Sequence, residues 1–167
     1  RAFEALGLTA RDFRVRVSDR RVWALLLEAF TVPAEKHAPV LGLVDKAGRM
    51  APEKLGEQME ELLPGLAADF LARVGELRTL RSLRDVGDFL RRLSPASDWT
   101  GKVGERLGIL ADLEALLQVS GLSDYVVVDF GIVRGLAYYT GVVFEIFEAS
   151  GEGRALAGGG RYDDLAG

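Results

Sequence analysis

The sequence predicts an α+β fold in which a small helical bundle is inserted into a sheet-based domain. Three observations carry that expectation. Residues 13–17 alternate apolar and basic side chains and run straight into an amphipathic helix. Residues 32–119 then show helical spacing with no strand between the helices, and after residue 120 the pattern returns to β-branched runs.

Taken in order, Phe13-Arg14-Val15-Arg16-Val17 has the period-two signature of a half-buried strand. Ser18 or Asp19 can cap the helix that follows, Asp19–Phe30, whose apolar stripe is Val22, Leu25, Leu26 and Ala29. Pro33 and Pro52 stand where a first helical turn tolerates proline. Ala34–Met50 presents Val40, Leu41 and Val44, and Pro52–Leu63 presents Leu55, Met59 and Leu62. Leu66–Leu77 adds Phe70, Leu71 and Val74. Ser82-Leu83-Arg84-Asp85 is a capping box with Asp in place of Glu, opening a helix through Leu93. Asp98–Val119 offers Val103, Leu107, Leu110, Leu113, Leu116 and Leu117. These segments divide the chain into a strand-plus-helix piece over 1–31, a helical insertion over 32–119, and a strand-rich piece over 120–167.

In the last zone Tyr125–Phe130 and Val142–Phe147 are strand candidates, and Ser150-Gly151-Glu152-Gly153 supplies turn chemistry before a third, Arg154–Ala157. The connections are short, so the expected sheet is antiparallel. Gly158–Gly160 then reads as a loop.

Composition narrows the function classes. A chain of 167 residues that is 49% hydrophobic and 28% charged matches a globular domain, or a core with a small appendage. It has no cysteine, which removes disulfides, thiolate metal sites and thiol nucleophiles. No apolar run approaches the roughly 20 residues that span a bilayer, so no membrane partner is expected and a cytoplasmic location is. The first residue is Arg1 and the last, Gly167, follows a glycine-rich segment; the chain is expected to be an internal fragment of a longer protein. Its net charge of −4 is uneven: residues 1–30 carry six Arg against four acids, and residues 120–167 three bases against seven acids. That balance argues against indiscriminate binding to nucleic-acid phosphates. Arg11, Arg14, Arg16, Arg20 and Arg21 form the basic cluster, expected as a solvated face.

Two motifs carry the chemistry. Arg134-Gly135-Leu136-Ala137-Tyr138-Tyr139-Thr140 places a guanidinium beside a glycine and two tyrosines. A guanidinium offers paired donors to a carboxylate or phosphate and keeps its charge. A glycine beside it lets a ligand approach the backbone. Taken alone, Arg134 is better read as a structural ion pair with Asp129 or Glu145, and a tyrosine pair as packing. Gly158-Gly159-Gly160-Arg161-Tyr162-Asp163 follows. Its three glycines imply close backbone packing, but no Gly-Lys-Ser/Thr follows and no dinucleotide fingerprint is present. His37, the single histidine, falls in the helical zone and takes no catalytic part.

The order and spacing of these motifs resemble histidyl-tRNA synthetase, a class II aminoacyl-tRNA synthetase. The match runs over Ile132-Val133-Arg134-Gly135-Leu136-Ala137-Tyr138-Tyr139-Thr140-Gly141-Val142-Val143-Phe144-Glu145 and Ala157-Gly158-Gly159-Gly160-Arg161-Tyr162-Asp163-Asp164-Leu165. Weaker similarity covers Val15–Arg21 and Leu43–Lys46; Ala137 departs from an Asp found in many family members. The resemblance implies a class II core fragment and a ligase that activates histidine with ATP and magnesium and then charges tRNA(His), with no tightly bound cofactor. It implies that Arg134 touches the substrate carboxylate and α-phosphate, and that Tyr138 and Tyr139 line the amino-acid pocket, one bonding the imidazole. Gly158, Gly159, Gly160, Arg161 and Tyr162 would form the pocket floor, and the parent would be a homodimer. It leaves two alternatives: the histidine-sensing regulatory subunit of ATP phosphoribosyltransferase, a non-catalytic paralogue, and an interaction domain that matches by chance.

Overall fold

In the computed structural model the described residues are 5–94, 97–133, 139–150 and 153–163. Strand β1 is Phe13–Asp19, followed without a loop by helix α1, Arg20–Ala29. The Asp19 carboxylate accepts from the backbone N–H of Arg21 at 2.9 Å and of Val22 at 3.0 Å, satisfying two donors that the first turn would otherwise orphan. Helices α2 (Ala34–Lys46), α3 (Pro52–Leu62), α4 (Ala67–Thr79), α5 (Leu83–Leu93) and α6 (Ser97–Val119) follow. At α5 the forward half of the capping box forms, with Ser82 Oγ accepting from Asp85 N at 3.1 Å, while the Asp85 carboxylate accepts from the Ser82 hydroxyl at 2.7 Å in place of the backbone N–H. Helix α6 ends at Gly121, whose φ of 65° lets Leu122 N reach back to Leu117 O at 2.9 Å.

Strands β2 (Val126–Val128), β3 (Val142–Glu148) and β4 (Ala157–Gly160) complete a four-stranded sheet in the order β2-β1-β3-β4. The sheet is antiparallel in two pairings, β1 with β3 and β3 with β4. The third corrects the antiparallel expectation: β2 runs parallel to β1, with Val15 opposite Val126 and Val17 opposite Val128. The helical stretch between β1 and β2 supplies the long crossover that parallel pairing needs. A second correction concerns the glycines. The last strand covers Ala157–Gly160 instead of Arg154–Ala157, so Gly158–Gly160 lies in a sheet ladder and not in a loop.

The core runs from α1 into the helical segment. Helix α1 buries Val22, Trp23, Leu25, Leu26 and Leu27, more than its expected stripe, because it is covered on more than one side. With Val40, Val44, Met59, Phe70, Leu77, Phe89, Val103 and Phe130 these residues form one apolar cluster. Trp99 locks the start of α6 onto α5 by donating from Nε1 to Leu90 O at 2.8 Å. The far end of α6 is less covered than its periodicity predicts: Leu116 is 63% exposed and Val119 83%. The predicted basic face also disperses. Arg16 lies half-buried over the Phe147 ring at 4.3 Å, and burial lowers the pKa of Arg20, while Arg21 remains exposed.

Candidate functional site

Alternation along the strands sorts the motif residues onto faces. Val143 stands opposite both Ser18 and Gly160, so all three belong to one face of the sheet. Two residues on, Glu145 stands opposite Arg16 on that same face. Arg16 pairs with Asp129 at 3.4 Å, and the Asp129 carboxylate also accepts from Gly131 N at 2.8 Å. A cavity of about 650 Å³ opens over this face, bordered by Arg16, Asp129, Val133 and Glu145.

The other end of the face carries the aromatic residues. The Tyr139 ring rests directly on Gly160: a β-carbon there would lie 2.6 Å from Tyr139 Cδ1 and 2.9 Å from Val143 Cγ1. Gly159, on the opposite face, is covered by the Phe144 ring, whose Cε1 would be 2.9 Å from a β-carbon. Glycines inside a strand mark such close approach. Tyr139 meets Tyr162 edge-to-face, with ring centroids 5.4 Å apart at 88°.

Backbone and side-chain bonds stitch the two motifs together. Thr140 N donates to Arg161 O at 2.9 Å and Arg161 N to Val142 O at 2.8 Å. Thr140 Oγ1 donates to Asp163 Oδ2 at 2.6 Å, and Arg161 Nε to Asp163 Oδ1 at 2.6 Å. These two bonds, that of Thr140 first, hold the Asp163 carboxyl below its ordinary pKa.

Of the sequence-predicted site residues, the structure brings together Tyr139, Gly160 and Tyr162, with Gly158, Gly159 and Arg161 in the adjoining strand and turn. Arg134 and Tyr138, with Gly135 and Ala137, lie outside the described residues. His37 lies in α2, its Nε2 at 2.9 Å from Val32 O. Sequence reasoning missed Arg106, whose guanidinium grips Asp19 through Nε at 2.8 Å and through Nη2. A signal existed: Arg106 flanks the apolar stripe of α6, three residues after Val103 and four before Leu110, and a cation drawn in beside such a stripe needs an anion.

A family model described as histidyl-tRNA synthetase matches residues 1–167. The chain belongs to the histidyl-tRNA synthetase family. It is 40% identical over 162 residues to the histidine–tRNA ligase of Opitutus terrae, covering 97% of this chain and 36% of that protein. It is 33% identical over 163 residues to the chloroplastic/mitochondrial histidine–tRNA ligase of Arabidopsis thaliana, covering 98% of this chain and 31% of that one. The chain therefore spans about a third of the length of these two relatives, 36% and 31%. The crystal structure of a histidyl-tRNA synthetase from Nostoc superposes with a TM-score of 0.77 over 98% of this chain and 38% of that one; at 23% identity it shows a shared fold. A Bacillus halodurans structure titled as an ATP phosphoribosyltransferase regulatory subunit/histidyl-tRNA synthetase superposes with a TM-score of 0.71 at 26% identity, over 98% of this chain and 40% of that one.

Proposed function

We propose that the protein carrying this chain is a histidine–tRNA ligase, in which the histidine carboxylate attacks the α-phosphate of ATP to give histidyl-adenylate and pyrophosphate, and the histidyl group then passes to the terminal ribose of tRNA(His) with release of AMP. The observation that supports it most is the family match, together with Tyr139 seated on Gly160 against Tyr162 at the end of a cavity-bearing sheet face. In this assignment histidine binds on that face. Arg134, the next residue after the cavity-lining Val133, pairs with the substrate carboxylate and the α-phosphate. Tyr138 and Tyr139 line the imidazole pocket, where a buried phenol rejects ligands without ring nitrogens. Gly158, Gly160 and Tyr162 form its strand-borne wall, with Gly159 turned to the opposite face and Arg161 beside Gly141. The chemical demand is charge stabilisation at the α-phosphate by fixed donors. Magnesium would arrive with ATP; among the described residues no group of three or more His, Asp or Glu side chains converges on a metal position, so no protein ligand is assigned to it.

The same proposal makes residues 32–119 an insertion between two pieces of one catalytic core, 1–31 and 120–167, whose strands share the sheet. Dimerisation and a cytoplasmic location belong to it as well; among the described residues no helix is long and apolar enough to cross a membrane. The test is histidine-dependent ATP–pyrophosphate exchange by the full-length protein, abolished by Arg134→Ala. The 167-residue segment alone is expected to be inactive, since its relatives are about three times longer. A second assignment, a histidine-sensing regulatory subunit, is supported by the likeness to the Bacillus halodurans protein, described as an ATP phosphoribosyltransferase regulatory subunit/histidyl-tRNA synthetase. It predicts histidine binding without pyrophosphate exchange.

A further inference from the structure

The helical segment touches the sheet's motif-bearing end through one buried ion pair. Asp19 is 1% exposed, and its carboxylate is shared between two backbone N–H groups of α1 and the Arg106 guanidinium, which is 11% exposed. The pair is bidentate, so it fixes the orientation of Arg106 as well as its distance. Arg106 also reaches the tyrosine segment. A β-carbon on Gly141 would sit 3.4 Å from Arg106 Nη2 and 3.2 Å from Arg161 Cδ, so these two side chains border the space beside Gly141. Its carbonyl accepts from Arg20 N at 3.0 Å, one residue beyond Asp19. Gly141 adjoins Thr140, which is bonded to both Arg161 and Asp163, and Tyr139 stands one residue further back.

We infer that Arg106 is a positioning residue for the amino-acid pocket, a role for α6 that rests on the histidine–tRNA ligase assignment. It holds the Tyr139–Gly141 segment in register with Arg161–Asp163. The placement of the tyrosine ring against Tyr162 therefore depends on a side chain contributed by the helical segment. An ion pair between α1 and α6, Lys102 with Glu28, is solvent-exposed and shares neither residue with the Asp19–Arg106 pair, so it serves as an internal control.

The experiment compares wild type, Arg106→Ala, Arg106→Lys and Lys102→Ala in the full-length protein. It measures kcat and the KM values for histidine and for ATP in pyrophosphate exchange. A pocket side chain shifted out of reach of its ligand forfeits a hydrogen bond, which costs on the order of tenfold in affinity. Arg106→Ala is therefore expected to raise the histidine KM about tenfold, with the ATP KM within about twofold of wild type. Arg106→Lys, which lacks the planar fork, raises the histidine KM by a smaller factor, and Lys102→Ala leaves both constants unchanged. A purely structural role would lower kcat with the folded fraction while leaving the histidine KM untouched. That pattern in both Arg106 variants overturns the inference, and if Arg106→Ala does not fold, Arg106→Lys alone decides. A wild type without exchange activity overturns the ligase assignment, and the inference falls with it.

Discussion

Replacing Gly160 with alanine is the most direct test of how the sheet presents Tyr139. The new β-carbon would lie 2.6 Å from Tyr139 Cδ1, 2.8 Å from Cγ and 2.9 Å from Val143 Cγ1. Ordinary contact begins at 3.4 Å, so the ring must retreat by the difference, about 0.8 Å. Backbone retreat is no easier, because Gly160 is paired with Val143 in the ladder. Overpacking of this kind costs about 1–3 kcal/mol. The loss of glycine freedom in the unfolded chain returns about 0.5 kcal/mol, leaving a net cost of roughly 0.5–2.5 kcal/mol. For a chain of this size the melting temperature should fall by roughly 1–10 °C. Histidine affinity, read by calorimetric titration of the full-length protein, should fall about tenfold because the displaced ring loses its contact with the ligand. Gly159→Ala is the control, since its β-carbon meets Phe144 at 2.9 Å on the opposite face. It should cost similar stability with little change in histidine affinity. Equal histidine affinities in the two variants would refute the placement of the pocket on the Tyr139 face.

Three further outcomes follow from the geometry. Asp19→Asn keeps an N-cap acceptor but leaves the buried Arg106 guanidinium without its counter-charge; chemical denaturation should show a loss of about 3–5 kcal/mol, and a loss under 1 kcal/mol would contradict the ion pair. Phe70→Ala removes a fully buried ring that packs edge-on against Phe30 at 5.3 Å, and should cost about 3–5 kcal/mol in the same assay. Asp163 titrates below the ordinary carboxylate range, so its bonds to Thr140 and Arg161 stabilise the folded chain above the unfolded pKa. That contribution disappears as pH falls through the lowered folded value. An NMR titration of the Asp163 carboxyl should therefore show a depressed midpoint that moves up in Thr140→Val, and an unmoved midpoint would remove Thr140 as the main cause.

Local chemistry made much of the fold legible. Asp19 and Ser82 cap helices because a short side-chain oxygen before an apolar period satisfies the first-turn donors, whatever the rest of the chain does. The strand at Phe13 and the one at Val142 carry period-two and β-branched patterns that survive in any sheet. The third strand was misplaced because Ala157-Gly158-Gly159-Gly160 has almost no side-chain pattern; only the Phe144 and Tyr139 rings, arriving from other parts of the chain, show why glycine is required there. The parallel entry of β2 was likewise invisible, since Val126–Val128 reads identically in either direction.

By itself the sequence determined the α+β class, the helix caps, the order of the elements and the two motifs, because each depends on near neighbours in the chain. Tertiary structure alone decided which motif residues share a face, that β1 and β2 run in the same direction, and that Arg106 meets Asp19. Those depend on contacts between residues far apart in sequence, such as the 87 positions separating Arg106 from Asp19. A charge buried by such a contact is held only when folding delivers its partner.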